Sequence, residues 1–181
     1  MFDKEYTFKG KHGFKVKSMV KRDQQSLSVQ QKFPIFERNL DVYLIAPIVG
    51  FMYGRTSEID NDPNYKPTDI FPQQLSENKA NLLFNFHLIM LLAFKNEPDE
   101  KERINKAFNY YNNDKLKDDE ILYNSYVLGG VDILYEKLIE NSLTIEDCLN
   151  NLYDFIEDFD ERYGEKVNKD DLSKLFLLAD V

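Results

Sequence analysis

A chain of 181 residues with 43% hydrophobic and 30% charged side chains is long enough to bury a core of its own and too apolar to stay disordered. The formal net charge of −9 argues against a protein that coats a polyanion with its whole surface, and Cys148, the single cysteine, leaves no partner for an intramolecular disulfide and no thiolate set for a zinc or iron–sulfur centre. With no tryptophan present, the 11 tyrosines and 14 phenylalanines must supply the aromatic core.

The first residues, "MFDKEYTFKGKHG", lack the apolar run of a signal peptide, and the expected location is the cytoplasm. Residues 1–40 hold nine Lys/Arg against four acids, a net +5 that leaves −14 to the remainder. A polyanion would therefore meet this protein through its N-terminal segment. Tyr6-Thr7-Phe8 reads as a short extended arm, and 11–31 as a sparsely apolar, exposed helix; together 1–32 form a basic N-terminal arm and helix. Pro34 then forces a turn, because the residue before a proline is pushed out of the helical region.

The twelve uncharged residues 42–53 and the fifteen of 80–94 fall short of the ~20 apolar residues that a membrane helix needs, so no membrane association is expected. Pro47 cannot donate to the carbonyl four residues back, which predicts two short buried helical pieces hinged at Ala46-Pro47. Ala46, Gly50 and Gly54 repeat every four residues, a small-residue stripe against which a second helix can pack closely. Three prolines and many turn formers make 56–79 a long loop. Ser76 is a candidate N-cap for a helix to Phe94 that is apolar nearly all round. "NEPDEKER" starts another helix, with Asn96 as cap. A further helix from about Asp118 should stop at Gly129-Gly130 before "VDILYEKLIEN". "TIED" at 144–147 is a capping pattern for a helix with Leu149, Leu152, Tyr153, Ile156 and Phe159 on one side and Asp154, Glu157, Asp158 and Glu161 on the other. Asn168 caps a last helix burying Leu172, Leu175, Phe176 and Leu178. The fold class that follows is all-α: a single compact multi-helix domain over 1–181, with a Pro-kinked buried helix and a short extended N-terminal arm.

Residues 158–171 space their acids somewhat like a calcium loop, but the glycine and the twelfth position are wrong for one. His87 sits on an apolar helix without a second histidine at metal spacing, which suits a core histidine. His12 has no nearby partner in sequence, and Cys148 lacks the basic neighbour that would activate it. None of the common nucleophile, phosphate-loop, dinucleotide or zinc motifs occurs, so the expected catalytic set, metal site and cofactor are all none. The strongest functional signal is "KGKHGFKVKSMVKR" at 9–22, with Lys9, Lys11, Lys15, Lys17, Lys21 and Arg22 and no acid. These cations would contact phosphates in a salt-sensitive way, or else dock on the chain's own acidic body or on an acidic partner.

Two blocks, "FPIFERNLDVYLIAPIVGFMYGR" at 33–55 and "NSYVLGGVDILYEKLIE" at 124–140, resemble the small E-protein family of bacterial DNA phosphorothioation (Dnd) systems. The resemblance implies a compact helical, non-catalytic accessory protein that self-assembles and associates with DNA through basic residues, and it adds Arg38 and Arg55, which flank the apolar run of the first block, to the candidate contacts. The functional expectation is a non-enzymatic accessory of a bacterial DNA-modification or phage-defence system. It would form a homo-oligomer and touch DNA, or a nucleoprotein partner encoded nearby, through Lys9, Lys11, Lys15, Lys17, Lys21, Arg22, Arg38 and Arg55. The alternatives are a protein–protein interaction subunit with an acidic helical surface and no nucleic-acid binding, and an enzyme of unrecognised type marked by a polar pocket around His87.

Overall fold

The computed structural model describes residues 2–21, 34–109 and 116–164. Arg22 and the expected final helix lie outside the described residues. Among those described, the elements run β1 (Tyr6–Phe8), α1 (Gly10–Met19), α2 (Asn39–Met52), β2 (Thr68–Ile70), α3 (Pro72–Glu77), α4 (Lys79–Ala93), α5 (Glu100–Ile104), a π-helical turn (Asn105–Asn109), α6 (Leu116–Leu138) and α7 (Ile145–Tyr163). The protein is predominantly α-helical.

The extended arm is not isolated: β1 pairs antiparallel with β2, Thr7 standing opposite Asp69, and Thr7 Oγ1 donates to Asp69 Oδ1 at 2.8 Å. The all-α expectation is corrected to that extent, since a two-stranded ribbon joins the helices. The stretch 56–79, expected as one long loop, contains β2 and α3. Ser76 caps nothing there, because α3 occupies it and α4 starts only after Asn78. Downstream, Asp99 rather than Asn96 caps α5, accepting from the Lys101 and Glu102 amides.

Two helices expected to be broken are continuous. α2 runs through Pro47, and α6 runs through Gly129-Gly130. Proline at 47 removes the amide that would reach the Tyr43 carbonyl. On the adjoining carbonyl of the same turn, Leu44 O, the buried Asn85 of α4 places its Nδ2 at 2.8 Å, supplying a donor from outside the helix.

The diglycine serves packing. A Cβ at Gly130 would overlap the Ala46 carbonyl of α2, one at Gly50 would overlap the Tyr126 carbonyl of α6, and one at Gly129 would overlap the Arg55 carbonyl. The two helices therefore meet backbone to backbone, and the stripe of Ala46 and Gly50 is used inside the chain. Gly54 has a different task. Its φ of +64° ends α2, with the Arg55 amide returning to Gly50 O at 2.8 Å and the Gly54 amide to Phe51 O at 3.0 Å.

Around this pair the core collects Phe8, Met19, Leu40, Tyr43, Phe86, Tyr123 and Leu134, all nearly or fully buried. Thr144 and Asp147 form the expected capping box: Thr144 Oγ1 accepts from the Asp147 amide at 3.1 Å, and Asp147 Oδ2 accepts from the Thr144 amide at 2.8 Å. Cys148, Leu152 and Phe155 turn one side of α7 inward, and Tyr53 stacks on Phe155 with ring centroids 6.3 Å apart. Tyr163 Oη donates to Met52 O at 2.7 Å, fixing the far end of α7 on the end of α2.

Candidate functional site

α1 carries most of the predicted cations, and its seat decides which of them face outward. Its first turn is capped from a distance by Asp60, whose carboxylate accepts the Lys11 amide at 2.8 Å. That bond, followed by the one from the Asp62 amide, holds the Asp60 carboxyl below its ordinary range. His12, Val16 and Met19 face inward.

Lys15 points at α6, where its Nζ lies 2.6 Å from Asp132 Oδ1. The same carboxylate accepts from Ser57 Oγ, stands 3.4 Å from His12 Nε2 and lies 4.0 Å from the Arg55 guanidinium. Arg55 itself makes a two-pronged pair with Glu136, one turn along α6, with Nη2 to Oε1 at 2.7 Å. The turn at Gly54 aims Arg55 and Ser57 at α6. Burial works against the charge on Asp132, but the hydrogen bonds from His12, Lys15 and Ser57 outweigh it and hold the carboxyl well below the usual carboxylate range.

Serine, histidine and aspartate are the residue types of a nucleophilic triad, but their order here is different. Ser57 donates to Asp132 and not to a histidine nitrogen, so the hydroxyl proton is held on the carboxylate and no imidazole stands ready to receive it. His12 Nδ1 is buried without a hydrogen-bond partner among the described residues. What the arrangement does chemically is saturate one buried anion with donors from α1 and from the chain after α2, which ties both to α6.

The other predicted contacts divide similarly. Arg38 binds Asp41 through Nε at 3.2 Å and Nη2 at 2.8 Å, at the start of α2. Lys21 pairs with Glu37 at 3.1 Å, both largely exposed, a geometry that contributes little. Lys17 Nζ donates to the Pro67 carbonyl at 3.0 Å. Lys9 and Lys11 are exposed, and no ion pair to either side chain is found among the described residues. Lys15 and Arg55 are thus brought together on Asp132 and Glu136, and Lys17 and Arg38 line one cavity beside β2, whereas Arg22 falls outside the described residues.

His87 packs its ring on Phe108 at 4.9 Å and Phe86 at 6.1 Å, and burial lowers its pKa. Burial likewise raises that of the Cys148 thiol. The acidic stripe of α7 is partly engaged: Asp158 accepts from Arg162 at 2.8 Å and from Tyr53 Oη at 3.1 Å. Among the described residues no group of three or more His, Cys, Asp or Glu could hold a metal ion, and no helix is long and apolar enough to cross a membrane. The part of the calcium-like stretch beyond Gly164 lies outside the described residues.

Asp132, Ser57 and Glu136 are absent from the sequence-based candidates, as is the role of His12. Their one local signal is an aspartate and a glutamate one turn apart in the mostly apolar C-terminal half of α6. Compared with protein-family models, curated proteins and solved structures, the chain matches none. Fold and geometry define a predominantly α-helical protein with an internal ion-pair anchor.

Proposed function

We propose that the chain is a non-enzymatic interaction subunit that receives a protein partner on α7. The observation that carries this reading is an exposed apolar stripe: Ile145, Leu149, Tyr153 and Ile156 are 66, 60, 67 and 58% exposed on one side of the helix whose other apolar side is packed. Exposed apolar groups clustered on one face are a hallmark of binding surfaces. Seven carboxylates and the single Arg162 lie on the same helix. Two copies of so acidic a face repel one another, so the fitting occupant is an apolar surface with basic flanks. The expected test is co-purification with a protein encoded nearby, resistant to nuclease and lost in the double variant Leu149→Glu, Ile156→Glu while the thermal melt stays unchanged. Binding that survives the double variant, or a mass from light scattering that shows only a second copy on this face, would overturn the reading.

A second reading is favoured by the exposed, unpaired state of Lys9 and Lys11 among the described residues and by the resemblance to the phosphorothioation E proteins. In it the N-terminal segment contacts DNA. The informative variant is Lys9→Glu with Lys11→Glu, which should weaken binding to duplex or nicked DNA at least tenfold in a low-salt mobility assay, since each phosphate left uncovered keeps its condensed counterions. Unchanged mobility would remove DNA from the function. Charge reversal at Lys15 or Arg55 does not serve this purpose, because it disturbs Asp132 and Glu136 first.

A further inference from the structure

We propose that the cavity between the start of α2, β2 and α3 is a binding site for a nucleoside monophosphate, either free or as the terminal nucleotide of a single strand. The cavity holds about 310 Å³ and is lined by Lys17, Arg38, Asn39, Asp69, Phe71 and Gln74 among others. That volume lies at the lower end of small-molecule sites, about 300 to 1,000 Å³.

Three features match the base and the phosphate of such a ligand. Phe71 is 61% exposed at the cavity, an uncovered aromatic face on which a base can stack. Lys17 and Arg38 supply the charge for a phosphate. Lys17 uses one of its three N–H groups on Pro67 O, and Arg38 uses Nε and Nη2 on Asp41, so Nη1 remains for the ligand. One acceptor, on Asp69, completes the set. Asn39 donates its Nδ2 to Asp69 O at 3.1 Å, which holds β2 against the start of α2. Asp69 commits Oδ1 to Thr7, which leaves Oδ2 to accept. The uncommitted carboxylate oxygen of Asp69 asks for N–H donors, which the edge of a base presents and a bare phosphate does not. Gln74 accepts the Phe71 amide through Oε1 at 3.2 Å, which leaves its Nε2 as a donor.

The site is independent of the α7 partner reading and stands or falls separately. The test is calorimetry on the full chain at low salt with AMP, GMP, CMP and UMP, with inorganic phosphate, and with a tetranucleotide bearing or lacking a 5′-phosphate. At least one monophosphate or the phosphorylated strand should saturate at or below about 1 mM, a modest affinity suited to so few contacts, and inorganic phosphate should bind at least tenfold more weakly. The tetranucleotide pair separates the two sources: phosphate-dependent strand binding without free-nucleotide binding assigns a strand terminus. Phe71→Leu, which keeps an apolar side chain but removes the ring, and Lys17→Gln should each weaken binding about fivefold or more, with unchanged melting. No binding by any of these probes, equal binding of inorganic phosphate, or unchanged binding in both variants would overturn the assignment.

Discussion

Gly130→Ala should lower stability by about 3 kcal/mol, at the upper end of the cost of overpacking a core, even though alanine favours a helix over glycine by about 1 kcal/mol. The reason is what the new methyl group meets. It would overlap the carbonyl of Ala46, which is backbone on a neighbouring helix and cannot rotate aside like a side chain. α2 and α6 would have to separate, and the packing of Leu40, Tyr43, Val127 and Leu134, all buried on these two helices, would loosen with them. For a chain of this length a loss of that size corresponds to a fall in Tm of roughly 6 to 12 °C. Gly54→Ala is the control. Nothing lies within 4 Å of its Cβ position, so only the left-handed backbone at φ +64° opposes the change, and its cost should be about 1 kcal/mol. Thermal melts of the two variants decide the matter. A Gly130→Ala protein as stable as the parent would mean that α2 and α6 do not meet at this seam.

The same glycines explain what the sequence can and cannot reveal. Apolar runs locate α2, α4 and α7, and the capping box at Thr144 locates the start of α7 to the residue, because both signals are local; α3 is missed, and the helix expected over 11–31 as exposed ends at Met19 with one face buried. Gly129-Gly130 reads as a break because glycine is the same letter whether it ends a helix or admits a neighbour. The second meaning depends on Ala46, on a different helix far away in sequence. Pro47 reads as a hinge for the same reason: the donor from Asn85 to Leu44 O belongs to α4. The basic segment at 9–22 is legible as charge, but not the direction of each cation. Lys15 meets Asp132 across 117 residues and Arg55 meets Glu136 across 81. A one-dimensional count of charges treats these cations as available, and the fold engages them.

Asp132→Asn should be nearly as damaging as the glycine change, and it separates charge from shape. The side chain keeps its size, but Lys15, itself mostly buried, loses its counter-charge, and one side of the amide can no longer accept the donors that converge from His12, Lys15 and Ser57. Removing one member of a buried pair costs about 3 to 5 kcal/mol; partial exposure of Lys15 places the expected loss near about 3 kcal/mol. Lys15→Met should cost less, since Asp132 retains Ser57 and His12, and Lys15→Glu should cost more, since two carboxylates then face each other. Acid supplies an independent check. Because the folded carboxyl of Asp132 titrates below its unfolded value, the unfolded chain takes up the proton first. The stabilisation is therefore present above about pH 4 and declines as the pH falls further. Arg55 keeps its charge throughout that window, and the depressed carboxyls of Asp60, Asp147 and Asp158 add to the loss with the same sign. Asp119 acts in the opposite sense, because burial raises its pKa. In urea titrations at pH 7 and at pH 3, the parent should lose more stability on acidification than Asp132→Asn does. Parallel losses in the two proteins would show that the anchor between α1 and α6 does not rest on the charge of Asp132.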